Sequence, residues 1–234
     1  MASSGGGVGG GESAPTTASR GLVVPLVIWG SKPPDNKITT VRFLSDTTTV
    51  VTGAQNGHII TWKCSDDAVT PSQLMIGHDA SISAISPTCD LISSTRFITA
   101  SCDGHMCLWD LEDGRCLDSI STPMVHRFMQ PYTYKSSRHT RSTRLFCVGD
   151  YSDIVVMDPN DLTVVFNLSS RVEPDWICSY DIVRRTNKLE QCIGVSMAGM
   201  IKIWSLVELE KRVWRIPLPY FLLCDQKRPF LSIK

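Results

Sequence analysis

The sequence predicts an all-β chain built from four repeats, and three observations lead there. Beyond residue 22, stretches with a helical period are almost absent. Short β-branched runs take their place, at 22–24, 39–41, 49–51, 59–61, 154–156 and 163–166, each bounded by turn residues. Finally, a glycine five residues ahead of a tryptophan recurs as Gly57/Trp62, Gly104/Trp109 and Gly199/Trp204, while residues 152–158 fit between the last two with Met157 at the tryptophan position. The anchors Trp62, Trp109, Met157 and Trp204 are spaced by 47, 48 and 47 residues.

A period of roughly 40–50 residues suits the blade of a β-propeller, a four-stranded antiparallel sheet with both faces packed on neighbouring blades. Inner strands then read as near-continuous apolar runs, and turns carry Gly, Asp or Asn. A second landmark sets the frame: Gly77 and His78 lie 32 and 31 residues before Trp109, and Trp109 is followed by Asp110. Gly-His followed about thirty residues later by Trp-Asp is the WD-repeat signature. The second unit carries it whole. The same offsets fall on Val125 and His126 in the third unit, and on Gly30 and Ser31 in the first.

In chain order, residues 1–20 are Gly, Ser, Ala and Thr without periodicity, and bury too little apolar surface to offset the entropy of ordering. They read as a disordered arm. Residues 22–29 read as the outer strand of a closing blade, and the units follow near 31–76, 77–120, 125–168 and 173–206, so that 21–206 form a partial propeller. In the second unit, strands are expected at 81–85, 97–101, 106–110 and 115–120, with Asp103-Gly104 and Asp113-Gly114 as turns. In the third, 124–128 reads as the first strand, and the basic run 135–144 as a solvated loop with a minor claim as a kinase site or a contact to acidic lipid. Residues 207–234 form a divergent tail.

Composition excludes several roles. The 23 Lys+Arg balance the 23 Asp+Glu, so no net field draws the 234-residue chain to nucleic acid or anionic lipid. No apolar run approaches the roughly 18–20 residues of a membrane span. Nine cysteines form an odd count without a C-x-x-C pair, and read as small buried hydrophobes in a reducing compartment. A cytoplasmic location is expected.

The chemistry-bearing residues sit inside the repeat frame. His78, Thr99, Asp103 and Trp109 occupy the WD-repeat positions of a side-chain network linking the strands. Asp103 is expected to accept from one ring nitrogen of His78, the other nitrogen to meet Thr99, and Thr99 to accept from the indole of Trp109. As a hydrolytic relay with Thr99 as nucleophile, the same residues lack an oxyanion motif. Residues 194–199 miss the G-x-S-x-G elbow by one residue and read as a turn. Cys102, His105 and Cys107 suggest a metal, yet strand alternation parts Cys102 from the other two and no fourth ligand is evident. No catalytic residue, cofactor or metal is expected.

Beyond the general repeat, residues 22–30, 50–53, 77–82, 106–110 and 113–116, together with Pro174-Asp175-Trp176-Ile177, resemble the amino-terminal propeller of the rabconnectin-three beta subunit and its close WD-repeat relatives. The resemblance implies a non-enzymatic scaffold with protein partners, a DmX-like subunit and proton-pump subunits. It further implies a role in assembling the vacuolar proton-pumping ATPase on the cytosolic face of vesicles or endolysosomes, with a link to Rab GTPases. A generic WD-repeat adaptor or substrate receptor is the alternative. Members of that family continue into further blades, so the expected architecture is an incomplete, open arc of a larger propeller. Such an arc leaves two blade faces bare. A patch of about 400 Å² at roughly 25 cal/mol/Å² forfeits about 10 kcal/mol, within the ~5–15 kcal/mol of a typical fold, so instability alone or closure by association is expected.

Overall fold

The computed structural model describes residues 37–66, 68–89, 95–135, 141–169, 175–184 and 190–206. All of them fall within one compact unit, Pro34–Lys234. The arm, the closing strand, residues Gly30 and Ser31 and the tail lie outside the described residues.

Every described element is a strand, and successive strands pair antiparallel in chain order. The first sheet is β1 (Ile38–Phe43), β2 (Thr49–Ala54), β3 (Ile59–Cys64) and β4 (Val69–Met75). The second is β5 (Ile82–Pro87), β6 (Arg96–Ser101), β7 (His105–Asp110) and β8 (Cys116–Ser121). The third is β9 (His126–Lys135), β10 (Arg141–Gly149), β11 (Ile154–Met157) and β12 (Val164–Leu168). The fourth has three described strands, β13 (Ile177–Arg184), β14 (Glu190–Ser196) and β15 (Ile201–Ser205). Among the described residues the four sheets do not close into a barrel.

Sheets covered on both faces explain the composition of their inner strands. β2 is buried along nearly its whole length, whereas the outer strand β8 is mostly exposed. Three apolar clusters correspond to three junctions. Ile59 and Met75 of the first sheet cluster with Phe97 and Trp109 of the second. Met106 and Leu108 of the second meet Met129, Leu145 and Met157 of the third. Ile154 and Val156 of the third meet Tyr180, Cys192 and Trp204 of the fourth. Among the described residues no such cluster joins the fourth sheet to the first.

In the first two sheets, the turn between the second and third strands locks onto the connector to the following sheet. Gly57 and Gly104 adopt φ of +82° and +83°, a region that favours glycine. A Cβ on Gly57 would lie 2.2 Å from the carbonyl oxygen of His78, and one on Gly104 would lie 2.0 Å from that of Thr122. The glycine of each turn thus admits the connector that leads into the next sheet.

Several boundaries differ from the sequence reading. Second-sheet strands begin or end one or two residues from their expected limits. β9 starts at His126 rather than at Met124, because Met124 belongs to the turn in which Thr122 accepts from the Met124 N–H. The basic run 135–144 is not one loop: β10 begins at Arg141 and pairs with β9 from Lys135 back to His126, and Arg144 is held 2.9 Å from Asp158. In 194–199, residues Gly194 to Ser196 close β14, and the turn begins only at Met197.

Candidate functional site

The four anchors stand in matching register on the third strand of each sheet. Trp62 pairs with Val50, Trp109 with Phe97, Met157 with Leu145 and Trp204 with Cys192. All four side chains are buried.

In the second sheet the network is continuous. The Trp109 indole N–H donates to Thr99 Oγ1 at 2.8 Å, and that hydroxyl lies 2.7 Å from His78 Nε2. His78 Nδ1 lies 3.0 Å from Ser101 Oγ, which donates to Asp103 Oδ1. The expected direct bond between Asp103 and His78 is therefore corrected: Ser101 stands between them. The reason is geometric, since Ser101 follows Thr99 by two residues on β6 and shares its face, while Asp103 has entered the exposed turn.

The polarity of this chain assigns the tautomer. A carboxylate only accepts, so the Ser101 proton goes to Asp103 and His78 Nδ1–H donates to Ser101. His78 Nε2 then accepts from Thr99, whose oxygen accepts from Trp109. Burial first, and then the proximity of His105, lower the His78 pKa to about 4, so the ring is neutral at pH 7. The hydrogen bond from Ser101 holds the Asp103 carboxyl below its ordinary range. Thr99 is fully buried with its hydroxyl spent in both directions, which leaves it no lone nucleophilic role.

The ligand atoms of His78, His105 and Cys107 lie within 4.8 Å of one another, a grouping the sequence reading missed because His78 comes from a different loop. Both nitrogens of His78 are committed to hydroxyls, so a cation there would have to break the chain just described. Cys102 is exposed. Burial pushes the Cys107 and Cys147 thiols far up, and that of Cys192 to about 12, so they are poor nucleophiles.

The other sheets carry variants of the same plan. In the first, Trp62 Nε1 donates to Thr52 Oγ1 at 2.8 Å. In the third, Cys147 and Met157 replace Thr99 and Trp109, and their sulfurs lie 3.9 Å apart. There His126 is fully buried with Nδ1 2.6 Å from the Tyr151 hydroxyl, and burial lowers its pKa to about 4. In the fourth, Gly194 replaces the threonine, and the Trp204 indole donates instead to the Ser169 carbonyl at 3.2 Å. A Cβ at Gly194 would come within 3.0 Å of the Trp204 ring.

The fourth sheet also shows what Asp175 does. Its carboxylate lies 2.9 Å from Lys202 Nζ and accepts from the Ala198 N–H at 3.2 Å. Burial raises its pKa, but hydrogen bonds from Ser196 and Lys202 outweigh that and hold it low. Ser196 and Lys202 match Ser101 and Cys107 by distance from the anchor, and here a buried ion pair ties the segment before β13 to β15. Trp176 beside it is half-exposed.

These features define a WD-repeat protein with the WD40 propeller fold. Residues 70–110 match the family model described as WD domain, G-beta repeat. The chain is homologous to WD repeat-containing protein 72: it is 31% identical to the Mus musculus protein over 189 residues, covering 80% of this chain and 17% of that protein. Against the Homo sapiens protein the identity is 32%, covering 77% of this chain and 16% of that one. The chain thus spans a small part of the length of these relatives. Among solved structures, Saccharomyces cerevisiae Sqt1 superimposes with a TM-score of 0.58 at 11% identity, over 74% of this chain and 46% of that one. That likeness concerns the fold alone. No described helix is long and apolar enough to cross a membrane.

Proposed function

We propose that the chain is a non-enzymatic interaction scaffold that takes part in assembling the vacuolar proton-pumping ATPase, with a DmX-like subunit and pump subunits as partners, on the cytosolic face of vesicles or endolysosomal membranes. A link to Rab-GTPase regulation belongs to the same reading. The observation that carries the scaffold part is the closed chain from Trp109 to Asp103, in which the hydroxyls and imidazole bond to one another within the sheet. Groups spent in this way hold strands together, and leave the loop rims to bind partners. The proton-pump part rests on the likeness of the repeat loops and of the segment around Asp175 to the rabconnectin-three beta subunit.

Affinity capture of the tagged chain from cell lysate tests this. Recovery of the DmX-like subunit together with pump subunits is the expected result. Recovery of unrelated proteins without them would favour a general adaptor or substrate receptor.

A further inference from the structure

The turns that join the second strand to the third are built alike in the first two sheets. The Gly57 N–H donates to the Ala54 carbonyl at 3.2 Å, and the Gly104 N–H to the Ser101 carbonyl at 3.1 Å. Both glycines lie in the left-handed region, at φ +82° and +83°. The His58 N–H donates to Asn56 Oδ1 at 3.2 Å, as the His105 N–H does to Asp103 Oδ1 at 3.1 Å. At the residue before the glycine, the first sheet thus holds an amide where the second holds a carboxylate.

Residues 56 and 57 are the single Asn-Gly pair of the sequence. Such a pair is disposed to cyclise, because the following backbone nitrogen reaches the side-chain carbonyl carbon through a five-membered ring and glycine has no Cβ to obstruct closure. In this turn the amide is also held at both of its polar atoms. The His58 backbone N–H polarises Oδ1, and Nδ2 donates to His58 Nδ1 at 2.9 Å. Histidine is the side chain suited to carry a proton near neutral pH, and here it touches the nitrogen that must leave.

We propose that Asn56 is a modification site, at which the folded turn converts asparagine to aspartate without an enzyme and gives the first sheet the acidic turn that Asp103 gives the second. The Gly57 nitrogen loses its proton to water and bonds to Asn56 Cγ. As that carbon turns tetrahedral, Nδ2 becomes a basic amine and takes a proton from water through His58; the Cγ–Nδ2 bond breaks and ammonia leaves a succinimide. Water then opens the ring, so that one water enters for each ammonia released. Breaking the bond from Cγ to the Gly57 nitrogen restores the ordinary backbone with a carboxylate, the arrangement Asp103 shows the turn to accept. Breaking the other bond to that nitrogen would give isoaspartate, with a backbone longer by one carbon. The turn has no room for it, since even a Cβ on Gly57 would lie 2.2 Å from the His78 carbonyl oxygen. The product places a negative charge where the first sheet meets the connector that carries His78.

Peptide mapping by mass spectrometry tests this on the folded full chain held at neutral pH and body temperature, beside the same chain unfolded in urea. The expected result is the mass gain of an amide exchanged for a carboxyl at residue 56, with cleavage there by a protease that cuts before aspartate and not before isoaspartate. His58→Ala, with its β signature verified by circular dichroism, should convert about tenfold more slowly when folded, a modest share of what a positioned proton carrier contributes. In urea it should convert at the wild-type rate. An Asn56 that persists in the folded chain would overturn the proposal, by showing that the turn protects the amide. Isoaspartate as the main folded product, or equal folded rates with and without the His58 imidazole, would overturn it equally. The wild-type product ratio needs no variant, so it decides the matter even where His58→Ala fails to fold.

Discussion

The imidazole of His78 and the indole of Trp109 meet on one oxygen, Thr99 Oγ1, at 2.7 and 2.8 Å. That atom joins the loop before β5 to β6 and β7, and the chain continues through Ser101 to Asp103. Substitutions and acid probe this arrangement and its counterparts in the other sheets.

Thr99→Val keeps the shape of the side chain and removes its hydroxyl. The Trp109 N–H and His78 Nε2 are then both buried without their partner, each at about 1–3 kcal/mol. A loss of about 2–5 kcal/mol is expected in urea unfolding. Thr99→Ser retains the hydroxyl and should cost only about 1 kcal/mol for the missing methyl.

Acid should destabilise the fold before carboxylates titrate. His78 and His126 ordinarily titrate near 6.5 and are lowered to about 4 by burial. Between those values the unfolded chain binds more protons than the folded one, so stability rises with pH there. It should fall as pH drops from about 6.5 to 4, by about 3 kcal/mol for His126, with His78 contributing in the same direction. Asp103 and Asp161, whose pKa values are lowered from 3.8, give up their contribution only below that value. Urea midpoints at pH 7, 5.5 and 4.5 check this; a flat response, or His126→Gln leaving the slope unchanged, would contradict it.

The Asp175–Lys202 pair should behave as a unit. Asp175→Asn and Lys202→Met each strand a buried partner, while the double variant removes both. The double variant is expected to unfold at a higher urea concentration than the sum of the single losses predicts. Strict additivity would show the two residues to be independent.

Turn glycines should divide by what lies behind them. Gly104→Ala drives a Cβ to within 2.0 Å of the Thr122 carbonyl at φ +83°, and the connector must shift. Gly199→Ala at φ +78° meets nothing within 4 Å, leaving only the left-handed strain of about 1–2 kcal/mol. Thermal unfolding should therefore show the larger loss for Gly104→Ala.

Much of the site was legible because β-structure repeats at short range. The recurring spacing of glycine to anchor places Trp62, Trp109, Met157 and Trp204 in equivalent registers, and the WD-repeat positions bring Thr99 to Trp109. Strand alternation also puts Ser101 on the face of Thr99, two residues on, which is the sequence signal for its place between His78 and Asp103. Lys202 offered another: a cation where the second sheet carries Cys107 calls for a buried anion, and Asp175 supplies it.

By itself the sequence determined the all-β class, the repeat and its period, since strand and turn preferences are local and recur with every blade. Only the tertiary structure decided that Ser101 relays between His78 and Asp103, that Asp175 pairs with Lys202, and that Val41 and Ile201 stand exposed. Those outcomes depend on which side chains from distant segments arrive at one sheet face, and burial is a property of the neighbours rather than of the residue.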